Sequence, residues 1–348
     1  MIRARACVPP ALCAIAILLG MSAPATAQLS SGSPELISKN LVDIGGGRHM
    51  NIVCNGQGSP ATVFLYGGNA SVLDWAAVQV AVSGITRACF YDRAGFGYSD
   101  PSPRPMTANN IVDDLHTVLA KAGIARPVVL IGHSSGGLYA TLYADKFTSQ
   151  VAGLVLIDPA FAGSADHETG QTAAERLHFK DEFERGLAHS RACADLARVG
   201  KLSAVNPHGC FRFAPGRTPA EIAYLLDQYL KPFLYESQTS EAINGLAYET
   251  GTSEDGREEE KAARSFGHMP VIVLSRGLID PDPGYTAAEE EASFKFWRAG
   301  HAKLAARSTR GELIVVPNTT HGIQLEQPQA VVDAIQRVVV EVRASATH

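Results

Sequence analysis

The run Gly132-His133-Ser134-Ser135-Gly136-Gly137 sets a serine between glycines, directly after the apolar stretch Val128 to Ile131 and before a helical pattern. A strand that turns at once into a helix through G-x-S-x-G has no room for a Cβ at either flanking position, and it carries the serine at its tip. Ser134 is the candidate nucleophile. The positive end of the following helix and the Ser135 backbone N–H would then face an oxyanion. A serine hydroxyl attacks a carbonyl only when a base takes its proton, and the base needs a carboxylate to fix its tautomer. His321, in the loop Pro317-Asn318-Thr319-Thr320-His321-Gly322 after the last apolar run, is the candidate base. Three aspartates lie just beyond strand-like runs and could supply the carboxylate. Asp280, in a G-x-x-D turn after Val271 to Leu274, ranks first; Asp158, directly after Gly153 to Ile157, ranks second and Asp282 third. Each also suits a turn or a helix cap. The order Ser134, Asp280, His321 is the chain order nucleophile, acid, base. A second oxyanion donor is expected from Tyr66-Gly67-Gly68-Asn69, and Gly68 is assigned, with Asn69 as the neighbouring alternative. Loss of one such donor costs about 3 to 4 kcal/mol in the transition state.

These residues must hang on a frame of alternating elements. Strands are predicted at Leu41 to Ile44, Met50 to Cys54, Thr62 to Tyr66, Ala88 to Tyr91, Val128 to Ile131, Gly153 to Ile157, Val271 to Leu274 and Leu313 to Val316. Most of the later runs are continuously apolar, as a sheet covered on both faces requires. Helical patterns at Trp75 to Val82, Thr107 to Lys121, Ser135 to Asp145, Thr286 to Ala306 and Gln329 to Val342 separate them. The alternation predicts an α/β fold with a mostly parallel sheet of eight strands and helices on both faces. It breaks once, over residues 161–268, where helical segments such as Ala173 to His189 and Pro219 to Tyr235 follow one another without a strand. The aromatics there, among them Phe179, Phe183, Phe211, Phe213, Tyr224, Tyr229, Phe233 and Tyr235, suit the core of an inserted helical cap and the lining of a pocket beneath it. The charged run Ser253 to Lys261 reads as a solvated face without chemistry.

Composition bounds the function. The chain has 348 residues and a net charge of −5, with no Lys/Arg stripe, zinc finger or basic helix, so nucleic acid is not its partner and a small molecule is the expected substrate. Arg3 and Arg5 precede the short apolar run Ala11 to Gly20 and then Ala25-Thr26-Ala27, the grammar of an export signal over residues 1–27. The run is too short for a membrane anchor, for which about 20 residues are needed. Export leaves Cys54, Cys89, Cys193 and Cys210, an even count without metal-ligand spacing, which predicts two disulfides and no metal or cofactor.

From about Leu41 to Val342 the chain resembles the α/β-hydrolase superfamily, in particular its cap-bearing serine hydrolases. Besides the elbow at Ser134, Tyr91-Asp92-Arg93-Ala94-Gly95-Phe96-Gly97-Tyr98-Ser99 resembles the family's Asp-Arg-x-Gly-x-Gly-x-Ser turn, and residues 320–328 resemble its histidine loop. Tyr66 stands where the family often has a histidine. The resemblance implies a core of residues 28–160 and 269–348 with the cap at 161–268. It also implies that the second strand lies beside the fourth, pairing Cys54 with Cys89 and leaving Cys193 with Cys210. Loop closure gives these bridges up to about 4 and 3 kcal/mol. The family's epoxide hydrolases and haloalkane dehalogenases resemble this chain with an aspartate nucleophile, against which Ser134 argues. Ester hydrolysis through an acyl-enzyme is the implied reaction. Amide or C–C hydrolysis, as in proline iminopeptidases or meta-cleavage hydrolases, is the alternative, and a non-catalytic binding protein of the same fold the third reading.

Overall fold

The computed structural model describes residues 37–165, 173–246, 253–280 and 285–345. The expected export signal at 1–27, Cys7, Cys13 and Asp282 lie outside the described residues. Eight strands form one sheet: β1 (Leu41–Gly45), β2 (Arg48–Asn55), β3 (Thr62–Leu65), β4 (Ala88–Tyr91), β5 (Val128–His133), β6 (Val151–Ile157), β7 (Val271–Arg276) and β8 (Gly311–Val316). Their order is β1-β2-β4-β3-β5-β6-β7-β8. β1 and β2 pair antiparallel, as do β2 and β4, and every other pairing is parallel. This is the predicted α/β-hydrolase fold.

Among the described residues ten α-helices accompany the sheet: α1 (Ala76–Ser83), α2 (Ala108–Lys121), α3 (Ser135–Lys146), α4 (Ala173–Arg198), α5 (Pro219–Tyr229), α6 (Pro232–Gly245), α7 (Glu254–Ala262), α8 (Ala287–Ala305), α9 (Ile323–Glu326) and α10 (Pro328–Ser345). Side chains alternate across a strand, and the central runs serve two cores for that reason. Val128 and Leu130 of β5, with Leu154 and Leu156 of β6, join the core beneath α2, α3 and α8. Val129 and Ile131, with Val155 and Ile157, join the core beneath α1 and α10.

Helices α4 to α7 fall between β6 and β7, the stretch where the sequence offered no strand. The pattern at Pro219 to Tyr235 forms two helices, because Pro232 has no N–H to donate and holds Lys231 in extended backbone. Cys193 and Cys210 are bonded and pack with Phe211 and Tyr235 in a small core of this layer. Cys54 and Cys89 are bonded across β2 and β4, where they face each other in register.

The acidic run 253–261 departs from its reading as a solvated face. It forms α7, whose Asp255 and Glu259 are buried. Asp255 accepts from the backbone N–H of Ala108 at 2.7 Å and Glu258 from that of Asn109 at 2.6 Å, satisfying donors that the first turn of α2 cannot pair internally. Glu259 pairs with Arg307 at 2.7 Å. A charge run seen in one dimension hides that its partner is the end of another helix. Asp255→Ala leaves the Ala108 N–H buried without an acceptor and should destabilise the fold by about 1 to 2 kcal/mol in urea unfolding, whereas Asp255→Asn, which keeps an acceptor oxygen, should lose less.

Candidate active site

Ser134 stands at the junction of β5 and α3 with φ 54° and ψ −128°, a conformation L-residues rarely adopt. Its flanking glycines are sterically required. A Cβ on Gly132 would lie 2.5 Å from the Gly136 carbonyl oxygen, and one on Gly136 would lie 2.1 Å from that of Leu65. The oxyanion loop presses on the same turn: a Cβ on Gly67 would meet the Ser134 Cβ at 2.9 Å.

The parallel register of β5 and β6 opposes His133 to Ile157, so the next residues, Ser134 and Asp158, leave neighbouring strands side by side. Asp158 is fully buried and, like Ser134, has a positive φ, 39°. Its Oδ2 accepts from His321 Nδ1 at 2.6 Å, and its Oδ1 accepts from the Arg276 backbone N–H at 3.0 Å. Arg276 Nη1 stands 3.4 Å from Oδ2. Burial pushes this carboxyl up, but the His321 hydrogen bond, the charge of His321 and the Arg276 guanidinium outweigh it and hold Asp158 below the usual carboxylate range.

Asp280, ranked first from the sequence, is therefore corrected. Its Oδ2 accepts from the backbone N–H of His321 at 3.0 Å, it is half-exposed, and it does not carry the imidazole. The reason is geometric. Asp280 lies four residues beyond the end of β7, at the surface, whereas Asp158 is the first residue after β6, one strand from the serine. The G-x-x-D turn at a strand's end gave Asp280 its rank, and the strand register that favours Asp158 is a long-range property.

Two further histidines pack around this group. His133 Nε2 donates to the His321 carbonyl at 3.0 Å, its Nδ1 lies 3.4 Å from Gln324 Nε2, and its ring centre is 4.6 Å from that of His321. Burial, then the neighbouring His321 charge, pulls the His133 pKa down to about 3. His301 Nε2 donates to the Pro159 carbonyl at 3.0 Å and its Nδ1 accepts from Ser275 Oγ at 3.0 Å, pinning the chain just after Asp158. Burial lowers its pKa too, so both rings hold these bonds as neutral imidazoles.

Gly68, Asn69, Ser134, Ser135, Glu241 and Trp297 line a cavity of about 240 Å³. Arg93, fully buried, braces two parts of this lining from behind, the Gly68 loop and Glu241. Its guanidinium donates to the Gly67 carbonyl at 3.0 Å and to that of Tyr66, and it pairs with both carboxylate oxygens of Glu241 on α6, at 2.6 and 3.1 Å. With two carbonyls of the loop turned to Arg93, the loop backbone is fixed next to Ser134. Gly95 of the same turn carries φ 80°, and a Cβ there would strike Ser237 Oγ of α6 at 1.9 Å. Arg93 stood in a quoted motif without a role, and nothing around Glu241 marked it in the sequence. His189, Cys193 and Cys210 cluster elsewhere, but both sulfurs belong to the disulfide.

A sequence model described as the alpha/beta hydrolase family matches residues 54–334. A proline iminopeptidase, PfmaB of Pestalotiopsis fici, is 32% identical over 85% of this chain and 97% of its own. The uncharacterized protein YqjL of Bacillus subtilis is 22% identical over 81% of this chain and 85% of its own. An uncharacterized protein of Schizosaccharomyces pombe is 26% identical over 71% of this chain, which spans only 40% of that relative's length. Among solved structures, a haloalkane dehalogenase loop variant from Bradyrhizobium elkanii superposes with a TM-score of 0.62 at 16% identity over 89% of this chain and 98% of its own. The epoxide hydrolase CorEH gives 0.60 at 20% over 88% and 99%, and Est816, described as an N-acyl homoserine lactone degrading enzyme, 0.56 at 18% over 86% and 99%.

The low pKa of His133 has a consequence for stability. Unfolded, this histidine takes a proton near pH 6.5, but the folded protein accepts it only near pH 3. Its contribution is complete above pH 6.5 and is lost as the pH falls toward 3, with a slope of up to about 1.4 kcal/mol per pH unit. His133→Asn, which removes the titration, should flatten the acid limb of stability measured by urea unfolding between pH 4.5 and 7. An unchanged slope assigns acid sensitivity to other groups.

Proposed function

Because the chain belongs to the alpha/beta hydrolase family, we propose that this hydrolase cleaves a carboxylic ester of a small, apolar substrate through an acyl-enzyme on Ser134. His321 takes the hydroxyl proton while Ser134 Oγ bonds to the ester carbonyl carbon, and the carbonyl electrons move onto oxygen. The backbone N–H groups of Gly68 and Ser135 stabilise that oxyanion. Its collapse breaks the C–O bond, and His321 returns the proton to the departing alcohol. Water, deprotonated by His321, then attacks the acyl-enzyme, and the acid leaves as Ser134 recovers its proton. Asp158 holds His321 Nδ1–H and stabilises the imidazolium in both halves.

The observation that carries this reading is the 2.6 Å bond between His321 Nδ1 and the buried Asp158, built one strand from Ser134 at its strained turn. Positive φ at Asn69, Ser134 and Asp158, three of the five non-glycine cases among the described residues, supports it, since such backbone persists only where surrounding structure enforces it. A serine at the elbow supports acyl transfer over displacement at an alkyl carbon. The iminopeptidase relative favours a second reading, in which the same three residues cleave the amide after an N-terminal proline. Export to an oxidising compartment accompanies either reading, supported by two disulfides and the residues preceding Gln28; no described helix is long and apolar enough to cross a membrane.

Hydrolysis of p-nitrophenyl acetate against proline p-nitroanilide and a vinylogous diketone separates the ester reading from its rivals. Ser134→Ala should lower kcat by on the order of 10⁶ and abolish fluorophosphonate labelling. Asp158→Asn should lower kcat by on the order of 10⁴ and Asp280→Asn less than tenfold. The reverse order for the two aspartates would return the acid to Asp280.

A further inference from the structure

A second cavity, of about 340 Å³, lies between α4 and α6 and adjoins the first, with Asn69, Gln238, Ala242 and Leu246 lining both. Its own walls are Phe179, Phe183, Gly186 and Leu187 of α4. Building on the ester reading, we propose that this outer lobe binds the acyl chain of the substrate, an unbranched apolar chain of medium length, while the inner lobe holds the scissile group.

The charged side chains of the lining are engaged within the protein. The acidic residue of the outer lobe, Glu182, faces its own helix neighbours, with His178 at 3.6 Å and Arg185 at 3.7 Å. That of the inner lobe, Glu241, is engaged by Arg93 at 2.6 Å. What remains along the outer lobe is uncharged, with Ser190, Gln238 and Thr239 beside a larger apolar surface led by Phe179, Phe183 and Leu187, in a volume of the size that organic ligands fill.

The side on which the lobes join identifies the part of the ester that enters. A leaving alcohol must lie against His321, which protonates it. Trp297, whose ring centre is 6.4 Å from that of His321, lines the inner lobe alone. The residues common to both lobes are instead Asn69, on the oxyanion loop, and Gln238, Ala242 and Leu246 of the insertion. A chain leaving the carbonyl in that direction belongs to the acyl half.

Gly186 adds an independent argument. It sits inside the 26-residue helix α4, where glycine is less favourable than alanine by about 1 kcal/mol. A Cβ there would meet nothing within 4 Å, so neither packing nor backbone geometry demands glycine. Gly186 lines the lobe, so a side chain at this position would take up room in it.

The test is the kcat/KM profile for p-nitrophenyl esters from acetate to decanoate, kept below their micellar concentrations. Each methylene withdrawn from water is worth roughly fourfold, so wild type should gain at least tenfold between acetate and octanoate. Gly186→Leu, which fills the lobe and suits a helix better than glycine, should cut the octanoate-to-acetate ratio at least tenfold. Leu177→Ala, on the exposed side of α4, should keep the wild-type profile. A wild-type profile that is flat or falls with chain length, or a ratio unchanged in Gly186→Leu, overturns the assignment. The serine-ester reading would survive either result, because acetate turnover and its loss in Ser134→Ala are measured in the same assay. Absence of turnover with every ester would bring down that reading and this inference together.

Discussion

The pairing of β5 with β6, in which His133 opposes Ile157, is the constraint from which the site follows. One residue further along each strand stand Ser134 and Asp158, and the ladder continues through them: the Ser134 N–H bonds to the Ile157 carbonyl and the Asp158 N–H to that of Leu274. Both side chains are thus mounted on the stiffest part of the molecule. A slip of one residue would exchange the faces of every side chain on the strand and send Val129 and Ile131 into the wrong core. The two apolar cores that lock the register therefore also set the distance between Ser134 and Asp158.

A second constraint ties the helical insertion to this frame. Arg93 lies on the turn after β4, bonds to the loop after β3, and finds its carboxylate on α6. A guanidinium wholly removed from water needs a partner in place, and losing it costs about 3 to 5 kcal/mol. Three segments distant in the chain are held in one relation by a single planar cation, with the aromatic rings of Tyr66 and Phe96 stacked near its faces.

The sheet, its strand content and the elbow were legible because each rests on local pattern: apolar runs for covered strands, glycines where a Cβ cannot fit. Ser134 and His321 could be read for that reason, and so could the pairing of Cys54 with Cys89 once the strand order was implied by resemblance. Asp158 against Asp280 could not be decided locally, since both follow a strand and both suit a turn. Only the neighbourhood of β5 and β6 separates them. Glu241 and Asp255 were invisible for a related reason. Each sits in a helix of ordinary polar character, and its significance comes from the group it meets across space, a guanidinium in one case and the start of α2 in the other.

The Arg93–Glu241 contact ties the insertion to the sheet. Excising residues 161–268, or grafting in a foreign layer without an acidic group at the same spot, would strand a permanent cation in an apolar interior. Within this layer the Glu241 position can change only together with Arg93, just as Asp255 and Glu259 answer to the start of α2 and to Arg307, so the insertion carries points that must change in step with the centre of the molecule.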